Sequence, residues 1–263
     1  MPLHRLSRTE LLIGVQGLEC LHSKHVMICG VGGVGSYAAE ALGRAGVGRI
    51  TLVDFDDICL TNINRQIHAL TSTVGKSKVE VMAARLRDIN PLAEIMPVKA
   101  FFSGDNAAKL LDPRPDYVLD AIDHFTAKAA LITTCVEHGI PVISSMGAAN
   151  KLDPTKIHVA DISATRNCRM ARSMRKMLRK AGITNGVQVV YSSEEHRELN
   201  PSASFCGTEC ICPNREEQVF RCDNRRVILG TISYLPSLFG LTMAGVVTNN
   251  LLAQPSPQVI KRL

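Results

Sequence analysis

The chain has 263 residues, of which 46% are apolar and 21% charged, as in an ordinary soluble globular enzyme with a large core. Its 30 Lys and Arg residues exceed its 24 Asp and Glu residues, which favours a polyanionic partner. Nine cysteines, an odd number, and a first segment MPLHRLSRTELL without a signal-peptide pattern argue against a secreted disulfide scaffold. We therefore expect reduced thiols and a cytoplasmic location.

The first part of the chain predicts a helical arm at 1–24, followed by a nucleotide-binding core at 25–150 in which short apolar strands alternate with helices. This alternation predicts an α/β fold of the Rossmann-like, doubly wound type, with a mostly parallel sheet and helices on both faces. The predicted strands are 25–30, 49–56, 95–101, 116–123 and 141–147, and the predicted helices are 36–46, 75–90 and 126–138.

The remainder extends the same single domain, 1–263. Residues 151–224 predict two further strands, a basic helix at 166–182 and a Cys-rich loop, and 225–263 predict a strand and a helix. The apolar run 235–253 is nearly long enough to span a membrane. Pro236 and the pair Asn249-Asn250 make a buried core or interface helix the better interpretation, so no membrane span is expected.

A glycine-rich turn, GVGGVG at 30–35, joins the first strand to the helix after it. Glycines at such a turn let backbone amides approach a phosphate at the positive end of a helix. Asp54 closes the second strand, where a carboxylate can bind ribose hydroxyls. The pattern predicts a nucleotide but does not distinguish NAD from ATP. The predicted nucleotide-binding glycines are Gly30, Gly32, Gly33 and Gly35.

Three charged residues after strand ends favour ATP. Arg65 and Lys78 would offset the charge of a triphosphate, and Asp123 would hold Mg²⁺. All three fall at or just after the carboxyl ends of predicted parallel strands, the edge at which such sheets bind ligands. The alternative for Arg65 and Lys78 is an ordinary solvated surface position.

The run GVGGVGSYAAEALGRAGVGRITLVDFDDICLTNINRQ resembles the adenylation domain of ubiquitin-activating enzymes and their bacterial ThiF/MoeB-type relatives. The resemblance implies a homodimer in which Arg8 reaches the phosphate site of the partner subunit. It also implies an acyl-adenylate mechanism that uses Arg8, Arg65, Lys78 and Asp123. The residues implied to hold the nucleotide, its phosphates and Mg²⁺ are Gly33, Asp54, Asn62, Arg65, Gln66, Lys78 and Asp123.

Four cysteines lie close together at Cys206, Cys210, Cys212 and Cys222. They lack the two C-x-x-C pairs usual in activators of ubiquitin-like proteins, and their irregular spacing fits no standard ligand pattern. Zinc, an iron–sulfur cluster, a reactive thiol and inert loop thiols all remain open. A sulfur-relay role would bring a cysteine desulfurase or sulfur acceptor as partner.

The segment 166–182 carries seven cations at helical spacing and no acidic residue. Such a helix is either a solvated face or a surface for a nucleic-acid backbone. The lack of acidic partners favours a phosphate backbone. The residues predicted to bind that backbone, and tRNA if the nucleic acid is a tRNA, are Arg172, Arg175, Arg179 and Lys180.

Four strings, TNINRQIHAL, VGKSKVEVMA, VLDAID and ISSMGAANKLDPTKIHVADI, are similar in particular to the tRNA threonylcarbamoyladenosine dehydratases. This resemblance implies ATP-dependent cyclisation of the threonylcarbamoyl group beside the anticodon, through adenylation of its carboxylate. Three alternatives remain: an adenylyltransferase for a ubiquitin-like sulfur carrier, an NAD-dependent oxidoreductase, and a non-catalytic RNA-binding or sulfur-relay protein.

Overall fold

The structure, a computed structural model, describes residues 3–200 and 229–253. The described regular elements, apart from four short 3₁₀ turns, are α1 (Ser7–His22), β1 (His25–Cys29), α2 (Gly35–Ala45), β2 (Arg49–Val53), α3 (Lys78–Ile89), β3 (Glu94–Val98), α4 (Ala107–Leu110), β4 (Tyr117–Asp120), α5 (Phe125–Glu137), β5 (Val142–Ser145), β6 (Ile157–Asp161), α6 (Arg169–Lys180), β7 (Gln188–Ser192) and α7 (Tyr234–Ala253).

These strands form one sheet in the order β3-β2-β1-β4-β5-β7-β6. Every neighbouring pair is parallel except β6 with β7, which is antiparallel at the edge. The strand order reverses between β1 and β4, so the loops that leave their carboxyl ends diverge and open a crevice there. The predicted Rossmann-like, mostly parallel fold is confirmed.

Alternate residues of β1 point to the two faces of the sheet. Val26 and Ile28 pack in the core that contains α2, α3 and α7, whereas Met27 and Cys29 pack in the core that contains α5. A third cluster joins α5 to α6 and β7. Because β1 is buried on both faces, its sequence HVMIC is almost continuously apolar.

Helix α7 is apolar and long enough to cross a membrane by length and composition alone. One side of it is buried in the core, with Phe239 and Met243 fully covered. Gly240 brings α7 against α2, since a Cβ at that position would lie 2.2 Å from the carbonyl oxygen of Val34. The apolar run is thus packed as a core helix. The described residues 229–233, by contrast, contain no strand, so the strand predicted before α7 is not seen there.

Several elements are shorter than predicted, because local contacts end a strand early or delay the start of a helix. Strand β2 stops at Val53 because the carboxylate of Asp54 accepts the N–H of Asp56, which turns the chain. In the same way the carboxylate of Asp120 accepts the N–H of Ile122 at the end of β4. Helix α6 starts at Arg169 rather than 166, because Asn167 has a φ of 53°.

Candidate functional site

The glycine-rich turn lies in the crevice between β1 and β4. A Cβ on Gly35 would lie 1.8 Å from the carbonyl oxygen of Gly30, and a Cβ on Gly30 would lie 2.7 Å from that of Ala121. Gly32 differs, since a Cβ there would meet only Nε2 of Gln66, at 3.8 Å. The turn therefore packs tightly against the β4–α5 loop on one side and is open on the side where a phosphate would enter.

Asp54 is buried at the end of β2 and is fixed to the turn. Its Oδ2 accepts the N–H of Val31 at 2.6 Å, and its Oδ1 accepts the N–H of Asp56 at 2.9 Å. Burial raises the pKa of Asp54, although the nearby Lys78 opposes this effect. The carboxylate is thus held beside the glycine turn, where a ribose would lie.

Lys78 begins α3 and is almost fully buried. Its Nζ donates to Oδ2 of Asp56 at 2.7 Å. Burial alone would lower the pKa of Lys78, but the carboxylates of Asp54 and Asp56 outweigh it and raise the pKa. The ammonium group therefore stays charged in a buried position, where its interaction with a phosphate is screened little.

Asn62, Arg65 and Gln66 lie in the connection between β2 and α3, and the last two lie beside the turn. Oδ1 of Asn62 accepts the N–H of Cys59 at 3.0 Å, which leaves its Nδ2 as the end that can donate. Nη1 of Arg65 donates to the carbonyl oxygen of Thr61 at 2.8 Å. Gln66 is buried, and its Oε1 has no hydrogen-bond partner among the described residues. An unpartnered buried amide beside an open turn fits a bound nucleotide.

Asp123 is exposed in the loop between β4 and α5. It is close enough to Lys78 to help raise the pKa of that residue. Within the described residues, no group of three metal-ligating side chains occurs. A single exposed carboxylate suits Mg²⁺, because Mg²⁺ is usually bound through one or two carboxylates together with substrate phosphates.

A buried network supports this loop from below. The side chains of Asp120, Lys128 and Ser144 are fully buried. Oδ2 of Asp120 accepts from Nζ of Lys128 at 2.7 Å and from Oγ of Ser144 at 2.6 Å. Oδ1 of the same carboxylate holds the N–H of Ile122, next to Asp123. The network therefore fixes the chain that presents Asp123.

Arg8 does not lie near the turn of its own chain. It is exposed on α1, whose neighbouring Arg5 donates to the carbonyl oxygen of Ile89 at 2.9 Å, at the end of α3. Leu6 lies against Gly46, which follows the end of α2. The glycine turn is at the other end of α2, a helix of 11 residues and so about 16 Å long.

The predicted tRNA-binding residues of α6 differ in their surroundings. Arg172, Arg179 and Lys180 are exposed. Arg175 is partly buried, and its Nη1 donates to the carbonyl oxygens of Ile162 and Thr165 at 3.3 and 3.1 Å. Arg175 thus anchors α6 to the preceding turn, unlike the other three. The cysteines predicted as metal or redox groups (Cys206, Cys210, Cys212 and Cys222) lie outside the described residues.

Sequence reasoning missed Asp56 and the buried network. The signal for Lys128 was present, because its charge interrupts the apolar run AKAALI at 127–132, on the side of α5 that also carries Leu131 and Cys135. A lysine at such a position needs a buried carboxylate partner. Asp120, the last residue of an apolar strand, is the residue that supplies it.

Proteins of known family and function are similar to this chain over most of its length. The family model described as ThiF family matches residues 6–263. A tRNA threonylcarbamoyladenosine dehydratase from Bacillus subtilis is 46% identical over 250 residues, which are 95% of each chain. The crystal structure of the Escherichia coli tRNA N6-threonylcarbamoyladenosine dehydratase in complex with AMP is similar, with a TM-score of 0.83, 35% identity, and coverage of 95% of this chain and 94% of that one.

The same Escherichia coli enzyme in complex with ATP matches with a TM-score of 0.80 over the same shares of the two chains, again at 35% identity. A more distant relative, the molybdopterin-synthase adenylyltransferase of Escherichia coli, is 37% identical over 151 residues. That match covers 57% of this chain and 59% of the relative. The similarity to the dehydratases thus extends well beyond the part shared with the adenylyltransferase.

Proposed function

Because this chain belongs to the ThiF family, we propose that it is an ATP-dependent tRNA threonylcarbamoyladenosine dehydratase. The observation that carries the proposal is the 46% identity to a dehydratase over 95% of both chains. The alternative, activation of a ubiquitin-like sulfur carrier, is supported by a match to 57% of the chain. The nucleotide-binding core alone cannot separate these functions, and the longer match favours the tRNA substrate.

The chemistry is the activation of a poor electrophile. An oxygen of the threonine-derived carboxylate attacks the α-phosphorus of ATP, and pyrophosphate leaves. The ureido group of the same side chain then attacks the acyl carbon, and AMP leaves with the carboxylate oxygen. The product is a cyclic hydantoin or oxazolone-type group that lacks one water. The substrate supplies the nucleophile for ring closure, so the enzyme mainly aligns the reacting groups and stabilises charge.

The described residues suit these roles. The open side of the glycine turn at Gly32 and the unpartnered amide of Gln66 fit the bound nucleotide, and Asp54 lies where the ribose would be held. Lys78 and Arg65 would stabilise the charge that moves from the α-phosphate to pyrophosphate. Asp123 would hold Mg²⁺, which neutralises phosphate charge when bound.

A homodimer would complete the site through Arg8. This arginine is too far from the turn of its own chain to act there, but it is exposed on α1. The same helix exposes Leu11 and Leu12, each 86% accessible. Apolar side chains at that exposure are typical of a surface that another subunit covers. The proposed dimer would bury them and carry Arg8 to the phosphates of the partner subunit.

Other proposals concern the surroundings of the enzyme. Exposed Arg172, Arg179 and Lys180 would attract the tRNA backbone, with Arg175 holding their helix in place. A reducing cytoplasm would suit the buried thiols of the described chain, such as Cys29 and Cys135. Zinc or an iron–sulfur cluster at the Cys-rich segment, and a sulfur-donating or sulfur-accepting partner, are predictions from sequence alone.

The decisive experiment supplies ATP, Mg²⁺ and tRNA that carries threonylcarbamoyladenosine. We expect release of AMP and pyrophosphate, and a nucleoside whose mass is lower by one water. Matched tRNA without the modification should give neither product. Release of pyrophosphate that depends instead on a small protein ending in Gly-Gly would overturn the proposal in favour of a sulfur-carrier adenylyltransferase.

A further inference from the structure

A pocket of about 260 Å³ lies between the first turn of α6 and the segment that follows β7. A second depression of about 460 Å³ adjoins it and shares Asn167, Glu195 and His196 with it. Neither belongs to the nucleotide site described above. We call the first one the α6 pocket, and its lining residues are Asn167, Cys168, Arg169, Arg172, Glu195 and His196.

The α6 pocket opens at the same edge of the sheet as the nucleotide site. Strand β7 runs parallel to β5, and β5 runs parallel to β4, so all three end at that edge. A Cβ on Gly147, just after β5, would lie 3.5 Å from Cβ of Met170 in the first turn of α6. Two strand spacings, about 10 Å, separate β4 from β7 across the sheet, and β7 continues for about 10 Å beyond the level of Asp120 to its end at Ser192. The pocket and Asp123 thus lie at one edge of the sheet, where a single extended RNA segment can reach both.

Of the three lining residues with a full charge, Arg169 and Arg172 are positive and Glu195 is negative. The side chains of both arginines are exposed, and neither forms an ion pair or a hydrogen bond with another described residue. Behind them Lys151 is buried, and its Nζ donates to the carbonyl oxygen of Ser192. The nearby carboxylate of Glu194 is already engaged, because it accepts the N–H groups of Leu152 and Asp153, both at 2.8 Å. The pocket thus presents two arginines and one carboxylate, an excess of one positive charge that favours an anion.

His196 adds a ring to this positive site. Burial lowers the pKa of His196, and the charges of Lys151 and Arg169 lower it further. The imidazole is therefore mostly neutral at pH 7. A neutral aromatic ring beside two arginines has the composition of sites that bind single-stranded RNA, in which bases stack on rings and guanidinium groups bind phosphates.

We propose that the α6 pocket holds one nucleotide of the anticodon loop next to the modified adenosine, with Arg169 and Arg172 on its phosphate and His196 against its base. The inference rests on the proposed function, since it assumes a tRNA substrate. Together with the adjoining depression the pocket falls within the roughly 300–1,000 Å³ of sites that hold ligands the size of one nucleotide. It would direct the loop so that the modified base faces Asp123.

The test measures binding of an unmodified anticodon stem-loop RNA to the full-length protein by fluorescence anisotropy. The double variant Arg169→Gln/Arg172→Gln is compared with Arg179→Gln/Lys180→Gln, which removes the same charge from the exposed other end of α6. We expect the first pair to weaken binding at least tenfold more than the second. Equal weakening by the two pairs would overturn the proposal, because α6 would then act only through its overall charge.

A second experiment tests whether the ring of His196 stacks on a base. His196→Ala should weaken binding about tenfold, the effect of one lost base stack of ~1.4 kcal/mol. Its effect should vanish with an RNA that is abasic at the flanking position. A loss of the same size with the abasic RNA would contradict stacking. Thermal melting checks that each variant is folded. The proposed function has its own readout: if the wild-type protein removes no water from modified tRNA, that function fails whatever the stem-loop results.

Discussion

The Nζ atom of Lys128 lies 2.7 Å from Oδ2 of Asp120, and both side chains are fully buried. The ion pair lies on the sheet directly below the loop that presents Asp123. Its geometry is completed by Ser144, which donates to the same carboxylate oxygen. The pair thereby links the interior of the fold to the edge where ATP chemistry would occur.

Loss of this ion pair should lower the free energy of unfolding. Lys128→Met leaves Asp120 buried without its cation, and we expect a loss of about 3–5 kcal/mol in the free energy of unfolding. Adding Asp120→Asn should recover part of that loss, because the uncompensated charge is removed. Ser144→Ala should cost only about 1 kcal/mol. Urea unfolding of the four proteins measures these values. Equal stability of Lys128→Met and the wild type would contradict the buried pair.

Removal of Asp123 should affect catalysis and leave the fold intact, because its side chain is exposed. We expect Asp123→Ala to reduce ATP–pyrophosphate exchange by at least about 10²–10³-fold, the effect of losing one well-placed charge-stabilising group. The melting temperature should stay within a few degrees of the wild-type value. Chelation of divalent cations should abolish exchange by the wild type. Near-normal activity of the variant with Mg²⁺ would remove Asp123 from the site.

Substitution of either Arg65 or Lys78 should lower the adenylation rate, but only one of the two substitutions should lower the stability of the protein. Both Arg65→Gln and Lys78→Gln should lower the adenylation rate by about 10²–10³-fold. Only Lys78→Gln should also destabilise the protein, by about 1–3 kcal/mol, since it leaves the acceptor Asp56 without its partner. Single-turnover kinetics and urea unfolding of both variants provide the comparison. A purely structural role for Lys78 would show as lost stability with an unchanged rate.

Lys78 and Asp123 illustrate what sequence can predict. Both belong to a family pattern, and both lie in connections that leave the carboxyl ends of parallel strands, which converge at one edge. The apolar pattern of α5 indicates that Lys128 is buried, but the choice of Asp120 as its partner depends on how α5 packs on β4. The position of Arg175 against the carbonyl oxygens of Ile162 and Thr165 also depends on tertiary contacts. Periodicity predicted its helix and not its partners.

His68 should make stability depend on pH. It is buried, and burial followed by the charges of Lys78 and Arg85 lowers its pKa from 6.5 to about 3. The folded protein therefore keeps His68 neutral, while the unfolded chain binds a proton below pH 6.5. Stability from this residue is complete above pH 6.5 and is lost as the pH falls toward 3.

The control is His68→Gln. The wild type should lose about 1.4 kcal/mol more per pH unit than this variant between pH 6 and 4. Denaturant unfolding at several pH values gives the difference in free energy of unfolding between the two proteins. The contributions of the other titrating groups cancel in this difference. Parallel curves for the two proteins would mean that His68 titrates alike in the folded and unfolded states.

The dimer can be tested by complementation. Arg8→Ala and Asp123→Ala should each be inactive, for different reasons. Mixed dimers would contain one intact site if Arg8 acts across the interface, so random exchange should restore about a quarter of the activity. Leu11→Glu/Leu12→Glu should yield a monomer by light scattering and abolish this rescue. Full activity of that monomer would show that the site needs no second subunit.

The contact between Gly240 and Val34 has a consequence for how the protein is made. Helix α7 is the last described element in chain order, yet it packs on the helix that begins at the glycine-rich turn, and Pro236 lies close to Gly33. During translation the turn leaves the ribosome long before α7 does, and domains can fold only when their packing partners have emerged. A nascent chain would therefore gain its nucleotide-binding ability only after α7 has left the ribosome.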